Sequence, residues 1–208
     1  TNLSCRFAGI SVTAVYISNE EIECTSPSYA SRRSISGETE VPVEVSLNGA
    51  DYSSSKTTFR YTSKPVLRSL TPVLGPAVFG GTVLNLFGEG PGFFGAEDSK
   101  GFGATEGAGI EMQCRIGTLL RPARRVSPGV VACETPPHKP GLVAVGLTVN
   151  GHDFSEVLQF LYVPDASVFS VNPRRGLPAG QTPVYVAGTN FVNSTALACR
   201  FDRAVVRA

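Results

Sequence analysis

A pair of cysteines 19 positions apart occurs twice in this chain and begins a third time. The pairs are Cys5 with Cys24 and Cys114 with Cys133, and Cys199 opens the third copy. The flanking residues match too, as Cys5-Arg6-Phe7 and Cys114-Arg115-Ile116, and as Cys24-Thr25-Ser26-Pro27 and Cys133-Glu134-Thr135-Pro136. A partner for Cys199 would lie beyond residue 208, so we expect this odd cysteine to be half of a third pair.

The cysteine pairs belong to a longer repeat that has a fixed period. Val41–Gly49 parallels Val143–Gly151, and Pro65 to Pro164 gives a period of 99 residues (164 − 65). Pro72–Gly88 likewise resembles Pro173–Gly188. The repeat predicts the back half of one domain (1–62), a complete domain (63–163) and the front half of another (164–208).

The local patterns predict strands. Val41 to Leu47 and Val143 to Val149 alternate apolar with small or polar residues, as half-buried strands do. Each run is followed by Asn-Gly, which predicts a two-residue hairpin into an antiparallel strand. Those partner strands are expected at Thr57–Tyr61 and Val157–Tyr162. About seven such strands in roughly 100 residues is the size of an immunoglobulin-like sandwich, although Trp is 0 and the cysteine interval is shorter than in antibody domains.

The motifs resemble the IPT/TIG domains of plexin-type receptors, large surface proteins and Rel-type transcription factors. They run in the same order in every copy: Pro-x-x-Gly-Pro … Gly-Gly-Thr-x-Leu-x-Leu-x-Gly from Pro72 to Gly88, Cys-Arg-Phe, Cys-x-x-Pro or Cys-x-Thr-Pro, and Val-x-Leu-x-Val-Asn-Gly followed by Phe-x-Tyr. The resemblance implies an all-β chain of tandem immunoglobulin-like (E-set) β-sandwiches. It also implies a non-catalytic module.

The paired cysteines are open to a structural and a chemical interpretation. Zinc sites usually cluster four ligands with short gaps, whereas this chain has no Cys-x-x-Cys, and His138 and His152 stand apart. Recurrent pairs favour disulfides Cys5–Cys24 and Cys114–Cys133, and hence an oxidising, extracellular or cell-surface location. No cofactor and no metal are expected.

Two N-glycosylation sequons precede Cys-Arg-Phe, at Asn2-Leu3-Ser4 and Asn193-Ser194-Thr195. Because both lie in the same loop of their copies, we expect at least one N-glycan. The alternative is that the pattern arises by chance in loops rich in Ser and Thr.

The middle copy carries a Gly-rich insertion at 88–109 instead. Its Gly90 to Gly95 match G-x-G-x-x-G, but the glycines that follow do not support the helix that a dinucleotide site needs. Three aromatics of the insertion, Phe93, Phe94 and Phe102, either pack on their own sandwich or face a neighbouring subunit. Its acids, Glu97, Asp98 and Glu106, lack the spacing of a calcium loop.

The charges suggest no nucleic-acid or membrane partner. The net charge is +1, which gives no general attraction to polyanions. No apolar run approaches the roughly 18–20 residues that span a bilayer. The basic groups Arg32-Arg33, Arg121/Arg124/Arg125 and Arg174-Arg175 are interpreted as solvated loop charges, with contacts to an acidic partner as the alternative.

These observations favour a structural or adhesive segment of a larger secreted or cell-surface protein, which begins before Thr1. Tandem sandwiches with proline at each junction would form a stiff rod, as in surface fibres or flagellar-surface assemblies. Its partners would be copies of itself or neighbouring domains. The alternatives are a receptor ectodomain and accessory domains of a secreted carbohydrate-active enzyme; no catalytic constellation occurs in this chain.

A thiol titration tests the pairing. The denatured, unreduced chain should expose a single reactive thiol, that of Cys199, because the other four sulfurs are in disulfides. Recovery of five thiols would contradict both the pairing and the oxidising compartment.

Overall fold

The computed structural model of the chain describes residues 2–29, 39–91, 93 and 112–208. Regular elements in these ranges are all strands, so none of them is a helix that could cross a membrane. The chain divides into two compact units, Thr1–Lys64 and Pro65–Ala208. The all-β prediction is therefore confirmed.

The first unit is one antiparallel sheet. Its strands are β1 (Ser4–Phe7), β2 (Ile10–Tyr16), β3 (Ile22–Cys24), β4 (Thr39–Ser46) and β5 (Thr58–Tyr61). They lie in the order β3-β2-β1-β4-β5. A small core forms on one face around Cys5, Phe7, Ala14 and Val41.

The second unit begins with an eight-stranded domain, called here the middle domain. Its strands are β6 (Val66–Thr71), β7 (Leu74–Pro76), β8 (Val83–Glu89), β9 (Gln113–Ile116), β10 (Leu119–Ser127), β11 (Val130–Glu134), β12 (Gly141–Thr148) and β13 (Leu158–Val163). Their order is β6-β8-β11-β10-β9-β12-β13-β7. Every neighbouring pair is antiparallel except β7 with β13.

Strand β10 connects the two layers of this sandwich. Its first half, Leu119–Pro122, pairs with β9, and its second half, from Ala123 to Ser127, pairs with β11. One layer is therefore β6, β8, β11 and the end of β10, and the other is the start of β10 with β9, β12, β13 and β7. Apolar residues at alternate positions fill the space between the layers. The fully buried ones are Leu84, Leu86, Cys114, Ile116, Val131, Val145, Leu147 and Phe160.

The expected hairpins form, but their turns are wider than predicted. Strands β4 and β12 pair antiparallel with β5 and β13. The Asn-Gly steps are not two-residue turns, because the Oδ1 atoms of Asn48 and Asn150 accept hydrogen bonds from backbone N–H groups two and three residues later. This side-chain turn competes with a tight backbone turn. Backbone pairing resumes at Ser53 and Ser155, whose N–H groups donate to the carbonyl oxygens of Val45 and Leu147.

Residues 164–208 repeat the beginning of the middle domain. Their strands are β14 (Ser167–Asn172), β15 (Tyr185–Thr189), β16 (Ala198–Phe201) and β17 (Ala204–Arg207), in two separate two-stranded sheets. The register of β14 with β15 shifts between Val168 and Ser170, as that of β6 with β8 shifts between Leu67 and Ser69. Their apolar side chains, such as Phe169 and Tyr185, are exposed. The assignment of 164–208 to a further domain stays a prediction, supported by this repetition.

One feature of the Gly-rich insertion differs from the prediction. Gly88 and Glu89 are part of β8, and Phe93 is fully buried in the core of its own domain. Phe93 therefore packs on its own sandwich, the first of the two alternatives, and does not face a neighbouring subunit. Phe94 and Phe102 lie outside the described residues.

Gly88 is required where β6, β8 and Phe93 meet. A Cβ atom on Gly88 would lie 2.3 Å from the Val66 carbonyl oxygen and 2.7 Å from the Phe93 ring. Gly188 has the same surroundings in the third copy, beside the Ser167 carbonyl and the Phe191 ring. A backbone oxygen cannot move aside cheaply, so these glycines allow the close approach of strand and aromatic ring.

Substitution Gly88→Ala should lower the free energy of unfolding by about 1–3 kcal/mol, the usual cost of overpacking. The measurement is urea unfolding of the whole chain. Gly146→Ala is the matched control, because a Cβ there meets Val157 at an ordinary 3.5 Å. Equal stability of the two variants would contradict the steric role of Gly88.

Candidate functional site

Both predicted disulfides form, and they occupy the same place in the fold. Cys5 joins Cys24, and Cys114 joins Cys133. In the middle domain Cys114 lies opposite Arg121 and Cys133 opposite Ala123, so the bridge joins the two strands that flank β10 where it changes layer. In the first unit, Cys5 and Cys24 flank β2 in the same way. Cys199 is the free cysteine of the described residues, and it lies opposite Val206 of β17.

A tyrosine closes the same corner of each domain, and it is buried as Tyr162 and half-buried as Tyr61. The Tyr162 hydroxyl donates to the Pro136 carbonyl at 2.8 Å, and Tyr61 donates to Pro27 at 2.8 Å. These residues are the tyrosine of Phe-x-Tyr and the proline that follows the second cysteine, which explains why both motifs recur. Burial is the main cause that raises the pKa of the Tyr162 phenol above its ordinary value, although Thr135 and Arg121 act in the opposite direction.

Sequence reasoning missed an arginine that stacks on an aromatic ring in both units. The guanidinium of Arg6 lies 3.9 Å from the centre of the Tyr52 ring, and that of Arg115 lies 4.0 Å from the centre of the Phe154 ring. Both arginines follow the first cysteine directly, on the outer face of the sheet. The signal was present in the sequence, since Cys-Arg occurs in all three copies, the last time at Cys199-Arg200.

The arginines between the paired cysteines lie on a strand and not in a loop. Arg121, Arg124 and Arg125 are all part of β10, so their interpretation as loop charges is wrong. Arg121 and Arg124 line a shallow cleft of about 430 Å³, together with the acid Glu134. Arg174 and Arg175 are exposed, whereas Arg32 and Arg33 lie outside the described residues.

The histidines have structural environments. His138 stacks on Tyr162, with ring centroids 4.9 Å apart, and its Nδ1 donates to the Lys139 carbonyl. His152 lies in the turn organised by Asn150, which accepts its backbone N–H. No group of three or more potential metal ligands occurs in the part of the chain that the structure describes. The acids Glu97, Asp98 and Glu106 lie outside that part.

The two sequons are accessible. Asn2 and Asn193 are both exposed, and so is Thr195. The hydroxyl of Ser4 in the first sequon is 3.4 Å from that of Tyr52. Glycosylation of Asn2 and Asn193 stays a prediction.

A comparison with protein families matches the model of the IPT/TIG domain to residues 1–61 and 65–162. The two matches cover well over half of the chain, and they correspond to the first unit and to the middle domain. The four strands after Val163 lie outside the matched residues.

Known proteins with similar sequences include Plexin-A2 from mouse, 26% identical over 88% of this chain, and human Plexin-A2, 27% identical over 61%. The chain spans only 9% and 6% of those proteins. Among solved structures, the full extracellular region of plexin A4 matches 89% of the chain with a TM-score of 0.46 and 22% identity, over 15% of its own length.

Substitution Tyr162→Phe should lower the free energy of unfolding by about 1–2 kcal/mol at neutral pH, because the Pro136 carbonyl loses its donor. Because the pKa of Tyr162 is raised in the folded state, its contribution to the free energy of unfolding is fully present below the unfolded-state pKa of about 10. That contribution is lost as the pH rises through the folded-state pKa. The decrease of stability in alkali should therefore be shallower in the variant than in the wild type.

Denaturant unfolding between about pH 8 and about pH 11 measures this difference. Both proteins should carry Cys199→Ser, since an ionised free thiol would exchange with the disulfides in alkali. If the free energy of unfolding falls with pH to the same extent in both proteins, the fold does not protect the Tyr162 phenol from ionisation, and the prediction is wrong.

Proposed function

We propose, from the premise that the chain belongs to the IPT/TIG domain family, that it is a non-catalytic structural segment of a larger extracellular protein. Tandem sandwiches of this kind hold other domains or copies at a set distance. The observation that carries the proposal is the repeated cross-link: both matched domains have a disulfide at the same corner, although the residues between their cysteines differ widely.

The position of the disulfide suits a segment that bears load. Cys114 and Cys133 are buried, and they tie the strands on either side of β10. Without the bridge, pulling on the chain could unravel β10 and the hairpin turns beside it. With the bridge, force passes from β9 to β11 through a covalent bond. Closure of a loop of this length also stabilises the domain by about 3 kcal/mol through the unfolded chain.

The two disulfides also support an extracellular location, because structural disulfides persist in oxidising compartments. The exposed sequons at Asn2 and Asn193 agree with it.

The second candidate is a segment of a receptor ectodomain. The similarity to Plexin-A2 over 88% of the chain favours it. In such a receptor these domains would position a separate recognition domain.

Negative-stain imaging of the native parent protein distinguishes the candidates: ordered filaments support the structural segment, and dispersed membrane-anchored molecules support the receptor.

Pulling the whole chain between two handles tests the load-bearing role. Each domain should extend further after reduction, by roughly 60 Å, because 19 residues become extensible at about 3.3–3.6 Å each in place of the 6.3 or 6.4 Å between the bridged Cα atoms. Variants with both cysteines of one pair replaced by Ala should show the longer extension in that domain without reductant. The same extension before and after reduction would contradict the role.

A further inference from the structure

The short linker that follows the middle domain determines how the next strands are attached to it. Strand β13 ends at Val163 and β14 begins at Ser167, so the linker consists of residues 164–166. Among the described residues, no side chain after Val163 belongs to the apolar core of the middle domain. Two parts of a chain that share no core move relative to one another unless other contacts hold them. The relation between these parts therefore depends on the contacts of the linker.

Asp165, in the centre of this linker, is bonded on both sides. The N–H of Val78, in the loop after β7, donates to the Asp165 side chain at Oδ1, with a distance of 3.0 Å. The Nδ2 of Asn190, which directly follows β15, donates to the main-chain carbonyl of Asp165 at 2.9 Å. One residue thus connects a loop of the middle domain with a loop of the strands that follow it.

The bond to Val78 continues the pairing of two strands. The N–H of Ala77 donates to the carbonyl of Val163 at 2.9 Å, which extends the ladder between β7 and β13. The next N–H, that of Val78, meets the Asp165 carboxylate in place of a backbone carbonyl. A hydrogen bond to an ionised acceptor is stronger than one between neutral groups, so the carboxylate holds the linker firmly against the middle domain.

The linker between the first unit and the middle domain has other residues at the same positions. Both linkers have the same length, and the strands that follow them have the same register. Lys64 therefore takes the place of Asp165, and Gly90 takes the place of Asn190. A lysine side chain offers no acceptor and a glycine offers no amide group. The fold of the repeat thus does not require either bond.

The backbone at Asn190 explains why an asparagine can be placed there. Its φ is 59°, and that of Gly90 is 89°, so both residues have the left-handed conformation. Glycine adopts this conformation at the lowest cost, and asparagine is among the few other residues that visit it. Asn190 therefore keeps the local turn and adds the amide group that binds Asp165.

The junction is not fully satisfied in this arrangement. The second carboxylate oxygen of Asp165, Oδ2, is buried and has no hydrogen-bond partner among the described residues. A buried polar atom without a partner opposes the conformation that buries it. Asp165 also lines a groove of about 390 Å³ that separates Leu74 and Pro76 from Val192 and Leu197. The two parts therefore have room to move once the bonds of Asp165 are broken.

We propose that Asp165 is a latch that fixes the direction in which residues 167–208 leave the middle domain. Its two bonds hold the junction against the cost of the buried Oδ2 atom. When either bond breaks, residues 164–166 absorb the change of direction, as the few residues of a hinge do. Such a junction is stiff while it is latched, and it bends without unfolding of the part on either side.

The test uses the whole oxidised chain, aligned weakly in a dilute liquid crystal. Residual dipolar couplings of backbone N–H groups are measured by NMR for the middle domain and for residues 167–208. Both sets should fit one alignment tensor in the unsubstituted chain, because the latch makes the two parts rotate together. Asp165→Ala should require two tensors, and the Val78 amide should exchange with deuterium at least about ten times faster.

Two further variants separate the latch from a general loss of structure. Asn190→Gly removes the other bond and keeps a residue that accepts the left-handed conformation, so it should also require two tensors. Exchange of the Val78 amide should stay slow in that variant, because its acceptor is still present. Asp153→Ala is the matched control, since it removes a hydrogen-bonded carboxylate from the turn after β12. It should retain one tensor and slow exchange at Val78.

Two tensors for the unsubstituted chain would overturn the proposal, because the junction would then be free in spite of both bonds. A single tensor for either Asp165→Ala or Asn190→Gly would also overturn it, because other contacts would then fix the direction. Unchanged amide shifts in the middle domain confirm that each variant is folded. The outcome is independent of the extension measured after reduction, which takes place between the paired cysteines.

Discussion

The structure of the middle domain depends on how one strand crosses from one layer to the other. Strand β10 pairs with β9 in its first half and with β11 in its second half. The crossing brings Cys114 and Cys133 to a Cα distance of 6.4 Å, whereas strands on either side of a flat middle strand would be nearly 10 Å apart. The crossing thus brings the two cysteines within the Cα distance that a disulfide needs. The bridge joins the two layers three residues before Pro136, whose carbonyl accepts from the Tyr162 hydroxyl.

The same scaffold carries two different surfaces. Inward positions keep their chemistry from copy to copy: Val41 and Val143, Phe59 and Phe160, and Tyr61 and Tyr162 correspond through the strand register. Outward positions change freely because solvent does not constrain their shape. A repeat can therefore change the chemistry of its outer surface without loss of its fold, as in the replacement of Glu40 and Arg60 by Leu142 and Leu161.

The elements that recur with a fixed period could be predicted well from the sequence. The strands around Val41 and Val143, the disulfide partners and the two-layer fold all followed from residues with a local signature. The wide turns did not, because Asn-Gly is a hairpin signal whose outcome depends on where the asparagine side chain bonds. Phe93 was ambiguous for another reason: an aromatic residue in a Gly-rich stretch can be placed only when the space beside Gly88 is known.

The amino-acid sequence by itself determined the repeat, the strand class and the cysteine pairing, because period and alternation are properties of neighbours along the chain. Only the tertiary structure decided which residues share the outer face. Arg115, Leu142 and Gly146 come from two strands, and their common side follows from the register between those strands. The positions of Leu142 and Gly146 correspond to those of Glu40 and Glu44 in the first unit, and this correspondence is defined by pairing across the sheet. Contacts between distant segments leave no fixed spacing in the sequence.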